Sequence, residues 1–373
     1  MQTISAADLP TLRAVVLSVT FALSFVFGAV AQKMGFCTMG AIADVVSFGD
    51  TTRLRQWLFA ICVAILGTQA LVAAGAIDTA DAIYTNARFT WFAYLAGGLC
   101  FGFGMVLAGG CGSRTLVRIG GGNLKSVVVF FVLGLTAFVT LKGALALFRV
   151  GAIEPLAIQL ASTQDIPSLL GAALGLPPLP AHTVIGAVLA VLIGIWVLRL
   201  REFRTSENVL GSAALGAVVV GVWYVSGHVG HLAEHPLTLE PTYIATASGR
   251  MESLTFVAPI AHTLDWLMFA SDKSKVATVG VIAVLGTIAG SASYAIGARR
   301  FRWEGFSNTE DTANHLVGAI LMGFGGVTAL GCTIGQGITG LSTLALGSFL
   351  AFGAIIVGAI GGVKYQAWRV AHQ

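Results

Sequence analysis

Long hydrophobic stretches constrain this chain more than any other feature. A helix needs about 20 apolar residues to cross about 30 Å of hydrocarbon, and we assign nine such stretches. They lie near residues 12–32, 55–77, 89–109, 124–148, 182–200, 209–228, 276–298, 314–331 and 344–363. Charged residues make up only 10% of the 373 residues, whereas soluble domains carry about 25%. We therefore predict an all-α integral membrane protein of about nine transmembrane helices, forming a single membrane domain over residues 1–373.

The remaining composition excludes several classes of function. The chain has 21 basic and 17 acidic residues, a net charge of +4, which does not give the basic surface that nucleic-acid binding needs. We therefore expect the lipid bilayer as surroundings and no nucleic-acid partner. The sequence contains no CxxC pair and no zinc-type spacing of Cys and His, and residues 227–235 (GHVGHLAEH) are interpreted as a polar loop. We predict no cofactor, no metal site and no enzymatic activity.

The basic residues are unevenly distributed between the two sides of the predicted bundle. Fourteen of the 21 Lys and Arg lie on the side that holds the C-terminus. That side comprises residues 33–55, 110–125, 199–208, 299–313 and the C-terminal segment. Because loops rich in Lys and Arg stay in the cytoplasm, we expect the C-terminus inside and the N-terminus outside.

One segment of the chain is repeated. Residues 95–111 (LAGGLCFGFGMVLAGGC) match residues 316–332 (LVGAILMGFGGVTALGC) at a constant offset of 221, with nine of 17 positions identical. The copies are the third and eighth stretches, and an odd separation means that they cross the membrane in opposite directions. We predict two inverted repeats, about 12–148 and 209–363. Inverted repeats are typical of transporters that place one site near the midplane.

Three of the five cysteines stand where a stretch ends in a glycine-rich break. Such breaks suggest short re-entrant helices, whose N-termini direct backbone N–H groups toward an anion. The other two cysteines, Cys62 and Cys100, lie within apolar stretches and are assigned to packing. The candidate binding residues around the breaks are Cys37, Cys111, Cys332, Gly110, Gly331, Thr38, Ser113, Thr333 and Arg114.

The motifs at these breaks resemble those of a known family. The quoted segments are GFCTMGAI, GCGSRTLVRIGGGNLKS, ESLTF (252–256) and the second Gly-Cys motif. They are similar to the YeeE/YedE family of bacterial sulfur-compound transporters over nearly the whole chain. The resemblance implies an hourglass-shaped helical fold in the bacterial inner membrane and uptake of thiosulfate into the cytoplasm. It also implies a small cytoplasmic TusA-like sulfur carrier as a partner.

The same resemblance assigns roles to residues. The family's three central cysteines match Cys37, Cys111 and Cys332, which would pass the ion inward through S–H hydrogen bonds. The second-half region that answers Cys37, about 253–271, contains no cysteine. Ser253, Thr255 and Phe256 are the candidates for that wall of the constriction.

The chemistry of thiols fits a sulfur dianion. Thiols are weak, polarizable donors, and a conducting site must release its ion as well as hold it. We therefore expect no buried Lys or Arg in the constriction; Arg114, Arg118 and Lys125 either draw the anion toward the cytoplasmic exit or anchor the loops. Moving a dianion into a negative interior costs about 4.6 kcal/mol at 100 mV, which requires proton coupling or rapid consumption. Asp44 and His315 are the nearest candidates for a proton relay.

Two alternatives remain open. The same fold could carry another sulfur or selenium species. A membrane sulfurtransferase that forms a persulfide on one cysteine would also use this motif, but it would need only that one thiol.

Overall fold

The chain folds almost entirely into helices. A computed structural model describes residues 8–174, 178–236, 239–272 and 274–372; the first seven residues and the last residue of the predicted domain lie outside this range. The helices are α1 (Leu9–Met34), α2 (Thr38–Phe48), α3 (Thr52–Ala73), α4 (Trp91–Leu107), α5 (Gly112–Gly120), α6 (Leu124–Lys142), α7 (Ala144–Phe148), α8 (Ile166–Leu174), α9 (Pro178–Leu198), α10 (Ser206–Tyr224), α11 (Val257–Met268), α12 (Val279–Gly297), α13 (Thr309–Thr328) and α14 (Leu346–Ala371).

The strands are minor elements. Two antiparallel pairs of two-residue strands tie the loops together: β1 (Arg88–Phe89) with β2 (Ile158–Gln159), and β3 (His231–Leu232) with β4 (Thr242–Tyr243). Three π-helical segments, Arg149–Ile153, Val225–Val229 and Gly335–Gly340, extend or interrupt helices. The all-α membrane class predicted from the sequence is confirmed.

Seven helical segments of the described residues are long and apolar enough to cross a membrane. They contain α1, α3, α4, α6, α10, α12 and α14. The predicted stretches near 182–200 and 314–331 coincide with α9 and α13. Neither is among the seven: the apolar part of α9 runs over only His182–Leu198, and α13 begins with Glu310 and Asp311 in its first turn. The count of nine spans stays a prediction.

Helices α4 and α13, which carry the repeated sequence, pack against each other through paired glycines. A β-carbon on Gly97 would lie 2.7 Å from the carbonyl oxygen of Gly325, and one on Gly104 would lie 2.8 Å from that of Gly318. The reverse distances are 2.5 Å for both pairs. At the offset of 221, Gly97 corresponds to Gly318 and Gly104 to Gly325. Each contact therefore has a counterpart in which the two helices exchange roles; the inverted repeat itself stays a prediction.

The ends of α4 and α13 also match. Both helices finish with a residue in the left-handed region, Gly109 at φ 69° and Leu330 at φ 58°. The next amide then bonds back five residues at 2.8 Å in both cases, from Gly110 to Met105 and from Gly331 to Gly326. This C-terminal turn reverses the chain immediately before Cys111 and Cys332. The repeat boundaries, about 12–148 and 209–363, stay a prediction.

Four short helices follow the breaks in the longer ones. Helices α2, α5 and α11 have 11, nine and 12 residues, and a helical turn with the π segment Gly335–Gly340 follows Cys332. At 1.5 Å per residue, the three helices are about 13–18 Å long, roughly half of the hydrocarbon thickness. The candidate residues lie at or next to the N-termini of these short helices.

Candidate functional site

Cys37 is the first of the three cysteines of the site. It caps the N-terminus of α2, and its sulfur accepts a hydrogen bond from the backbone N–H of Gly40 at 3.4 Å. The residue is buried, at 8% exposure. Left-handed Gly35 ends α1 just upstream and allows the chain to turn into α2. A glycine-rich break therefore places a buried thiol at a helix N-terminus, as the sequence predicts.

Cys111 occupies the equivalent position before α5. It is the N-cap residue in extended conformation, at 1% exposure. Its sulfur lies 3.2 Å from the hydroxyl of Ser113. A β-carbon on the next residue, Gly112, would lie 3.7 Å from the β-carbon of Phe256 at the start of α11. The start of α5 thus faces the start of α11.

Cys332 is fully buried and stands before the third break. Its sulfur accepts a hydrogen bond from the backbone N–H of Gly335 at 3.4 Å and lies 3.9 Å from the hydroxyl of Thr255. Thr255 immediately precedes the N-cap of α11. It therefore lies in the segment 253–271, the second-half counterpart of the Cys37 region, which contains no cysteine. Of the other two candidates, Ser253 donates to the Val219 carbonyl at 2.8 Å, and Phe256 packs on Phe27 with ring centroids 5.7 Å apart.

Cys111 is the central member of the three. It lies within electrostatic range of both Cys37 and Cys332. The cysteines are all free thiols. The structure therefore brings together three buried thiols that are separated by 74 and 221 positions in the chain.

Arg114 bears on the expectation that no buried cation lies in this region: the residue is half-buried, and one of its guanidinium nitrogens is fully buried. The guanidinium interacts electrostatically with both Cys37 and Cys111. Its Nη1 atom is buried and has no hydrogen-bond partner among the described residues. Arg114 was among the candidate binding residues, but its depth depends on tertiary packing: it is the third residue of α5, which packs against α1, α6 and α12. A buried guanidinium nitrogen without a partner is costly, and an anion bound there would compensate it.

The other two nearby cations have partners within the protein. Arg118 donates to the Gly109 carbonyl at 3.0 Å. Lys125 forms ion pairs with Asp311 at 2.8 Å and Glu304 at 3.7 Å. Within this group, Nη1 of Arg114 is the buried nitrogen that has no hydrogen-bond partner among the described residues.

The chain is similar in sequence to a known family over most of its length. A family profile described as "Sulphur transport" matches residues 33–361. The chain belongs to this sulphur transport family. The resemblance drawn from the cysteine motifs is therefore confirmed, and the family member is a multi-pass membrane protein.

Two relatives of this sulphur transport protein are both named thiosulfate transporter TsuA. The one from Escherichia coli K12 is 29% identical over 321 residues, which is 83% of this chain and 83% of the relative. The one from Spirochaeta thermophila is 27% identical over 344 residues, which is 90% of this chain and 94% of the relative. The similarity extends over most of each protein.

The remaining candidate residues of this protein differ in their surroundings. The Thr333 hydroxyl beside Cys332 is buried without a partner among the described residues. The Thr38 hydroxyl is also buried and unpartnered, but Thr38 lines a separate apolar cavity of about 150 Å³ with Trp57 and Phe352. Gly331 lines a different cavity, of about 310 Å³, which also contains Thr255. The structure thus gives Thr333 and Gly331 a clearer connection to Cys332 than it gives Thr38 to Cys37.

Two further residues of this sulphur transport protein border the cysteines, and sequence reasoning missed one of them. Gly110 packs on the side chain of Arg114, since a β-carbon there would lie 2.9 Å from its Cγ; this glycine was predicted, but as a backbone donor. The Tyr84 hydroxyl was not predicted. It is buried, and a β-carbon on Gly335 would lie 3.2 Å from it and 2.5 Å from the Thr255 hydroxyl. Nothing in the loop around Tyr84 signals this contact, which depends on tertiary packing.

Proposed function

We propose that this protein carries thiosulfate across the bacterial inner membrane into the cytoplasm. The observation that supports this most strongly is the cluster of three buried free thiols beside the unpartnered Nη1 of Arg114. The names of the two relatives give the substrate class. The excess of Lys and Arg on the C-terminal side supports an outer N-terminus and a cytoplasmic C-terminus.

In this proposal the ion passes the thiols in turn. Thr255 and Cys332 form one end of the path, Cys111 the middle and Cys37 the other end. Each S–H donates a weak hydrogen bond to the ion, while the Ser113 and Thr333 hydroxyls and the N–H groups at the helix N-termini bind its oxygens. Weak donors of this kind allow release.

Arg114 supplies one unit of positive charge beside the path. A dianion beside it would satisfy Nη1 and offset the cost of burying the guanidinium. Because Arg114 interacts electrostatically with Cys37 and Cys111, we place the strongest binding beside these two thiols, in the inner half of the path. A TusA-like carrier that removes thiosulfate from the cytoplasm would then keep the inner end empty.

The test is uptake of sulfur-labelled thiosulfate by proteoliposomes that contain the purified protein. Cys37→Ala, Cys111→Ala and Cys332→Ala are each expected to reduce uptake at least tenfold. Cys100→Ala, in α4, is the matched control and should transport like wild type, because Cys100 packs within an apolar helix.

Unchanged uptake in all three variants would overturn the thiol path. Absence of uptake by the wild type would overturn the transport proposal itself. A sulfurtransferase would instead leave a persulfide on a single cysteine, which mass spectrometry of protein recovered from turnover would detect.

A further inference from the structure

Glu252 is a buried carboxyl group close to the proposed path. Only 8% of the residue is exposed. One carboxyl oxygen, Oε1, accepts hydrogen bonds from the backbone N–H (2.8 Å) and the hydroxyl of Ser248. The backbone carbonyl of Glu252 accepts from Ser226. The residue is therefore held in place just before α11.

Glu252 lines the cavity that reaches Cys332. This cavity, of about 310 Å³, also has Thr255, Gly331, His262, Ile83 and Leu330 in its wall and is called here the Glu252 cavity. Thr255 lies 3.9 Å from the Cys332 sulfur, and Gly331 precedes that cysteine. Tyr84 interacts electrostatically with both Glu252 and Cys332. An ion in this cavity would therefore lie close to the carboxyl group.

A second cavity adjoins the first. It has a volume of about 260 Å³, shares Ile83 and Leu330 with the Glu252 cavity, and contains Arg88 and Arg250. Both cavities lie on the side that we assign to the exterior. The arginines suit an incoming anion, whereas an ionised Glu252 would repel it.

The groups around Glu252 do not include an ion-pair partner for its carboxylate within the described residues. Several titratable or charged groups face this region. Arg250 lies on the same loop as Glu252, and it lines the adjoining cavity with Arg88 and Glu154. The groups on neighbouring elements are Asp81, Tyr84, Tyr243, His262, Lys142, Asp265 and Lys275. Burial raises the pKa of Glu252, and the Ser248 hydrogen bonds oppose this without cancelling it.

We propose that Glu252 takes up one proton when thiosulfate occupies the Glu252 cavity. The carboxylate and one proton from solvent give a neutral carboxyl group, and no other bond changes. A neutral carboxyl can also donate a hydrogen bond to the anion. This inference rests on the proposed function and adds to it the group that links substrate binding to pH.

The two relay candidates from the sequence are less suitable. Asp44 is paired with Arg53 at 3.3 Å, and His315 is tied to the Asp311 carbonyl at 2.7 Å. Neither lines the Glu252 cavity.

The experiment measures thiosulfate binding by calorimetry on purified full-length protein from pH 5.5 to 9. Titrations in buffers of different ionisation enthalpy give the number of protons taken up. Wild type should bind with uptake approaching one proton above the Glu252 pKa, and its affinity should fall about tenfold per pH unit there. Glu252→Gln keeps an acceptor for Ser248 and stays neutral, so it should bind without Glu252-linked proton uptake and show a flat affinity.

Three further variants sharpen the result. His262→Gln should retain proton uptake, which excludes the histidine in the same wall as the source. Ser248→Ala removes a hydrogen bond that favours the carboxylate, so the loss of affinity should move to higher pH. Glu240→Gln, in an exposed part of the loop, is the matched control and should behave like wild type.

Two results would overturn the inference. One is wild-type binding without proton uptake across the pH range. The other is uptake that persists in Glu252→Gln. If the wild type binds no thiosulfate at any pH, the proposed function fails first and the inference fails with it. Unfolding temperatures of each variant show whether a loss reflects misfolding.

Discussion

The backbones of Gly97 and Gly325 touch across the centre of the protein. A β-carbon on Gly325 would lie 2.5 Å from the Gly97 carbonyl oxygen, and one on Gly97 would lie 2.7 Å from the Gly325 carbonyl oxygen. Backbone atoms cannot rotate aside as a side chain can. The contact between α4 and α13 therefore requires glycine at both positions.

Gly325→Val is expected to destabilise the protein by at least about 1–3 kcal/mol, the usual cost of overpacking. The measurement is the thermal unfolding midpoint of detergent-purified protein. Gly353→Ala in α14 is the control, since a β-carbon there meets nothing within 4 Å. It should be neutral or stabilising by about 0.5–1 kcal/mol because alanine favours the helix. Equal unfolding temperatures for Gly325→Val and wild type would contradict the close contact.

Leu330 holds a left-handed backbone conformation that glycine adopts more easily. Its φ is 58°, and the corresponding residue in the predicted repeat is Gly109 at φ 69°. Leu330→Gly should therefore be more stable than Leu330→Ala by about 1 kcal/mol. Both variants remove the side chain, so the difference between their unfolding midpoints reports the backbone alone. The opposite order would argue against the left-handed turn.

Arg114 offers a test of the anion site that does not involve the thiols. Arg114→Gln should raise the apparent KM for thiosulfate about tenfold or more, because a charge-assisted hydrogen bond contributes about 1.5–3 kcal/mol. Arg114→Lys should recover part of the loss, since it restores the charge without the planar group. Lys364→Gln, exposed near the C-terminus, is the control. Transport by Arg114→Gln at the wild-type KM would remove Arg114 from the path.

Asp165 links pH to stability through buried hydrogen bonds. Burial alone would raise the pKa of Asp165, but hydrogen bonds from His182 and Ser168 outweigh it and lower the pKa to about 2. An unfolded aspartate has a pKa of about 3.9. The stabilisation is therefore complete above about pH 4 and is lost as the pH falls toward 2.

Asp165→Asn should accordingly lower the unfolding midpoint by a few degrees at pH 7, and the gap to wild type should narrow only below about pH 4. Asp272→Asn is the control, since Asp272 is on the exposed surface. An unchanged midpoint for Asp165→Asn at pH 7 would show that the pair with His182 contributes nothing to stability.

The local features of the site were predictable from the sequence because they depend on neighbours in the chain. Gly35 and Gly109, shortly before Cys37 and Cys111, end the preceding helices in the left-handed conformation that glycine adopts easily, so a thiol at the next helix N-terminus follows from the motif. The match between residues 95–111 and 316–332 likewise predicted that α4 and α13 are related. The absence of a cysteine from residues 253–271 led to Ser253, Thr255 and Phe256 as candidates, but the contact of Thr255 with Cys332 is seen only in the structure.

Contacts between distant segments were not predictable in this way. Lys125 was expected either to draw an anion toward the exit or to anchor the loops, and its ion pair with Asp311, 186 positions away, was not foreseen. The burial of Arg114 depends on the helices that enclose α5. Tyr84 and Glu252 come from loops whose local sequence gives no sign that they face the cysteines. A single sequence shows where helices break, but it does not show which distant residues pack around the breaks.

The glycine contact between α4 and α13 has a mechanical consequence. Surfaces that meet through backbone atoms at two points, Gly97 with Gly325 and Gly104 with Gly318, resist sliding and leave little slack for one helix to tilt against the other. A large rocking movement about this seam would have to separate them. A transport cycle that keeps this seam intact would have to be carried by the short helices and their cysteine-bearing ends.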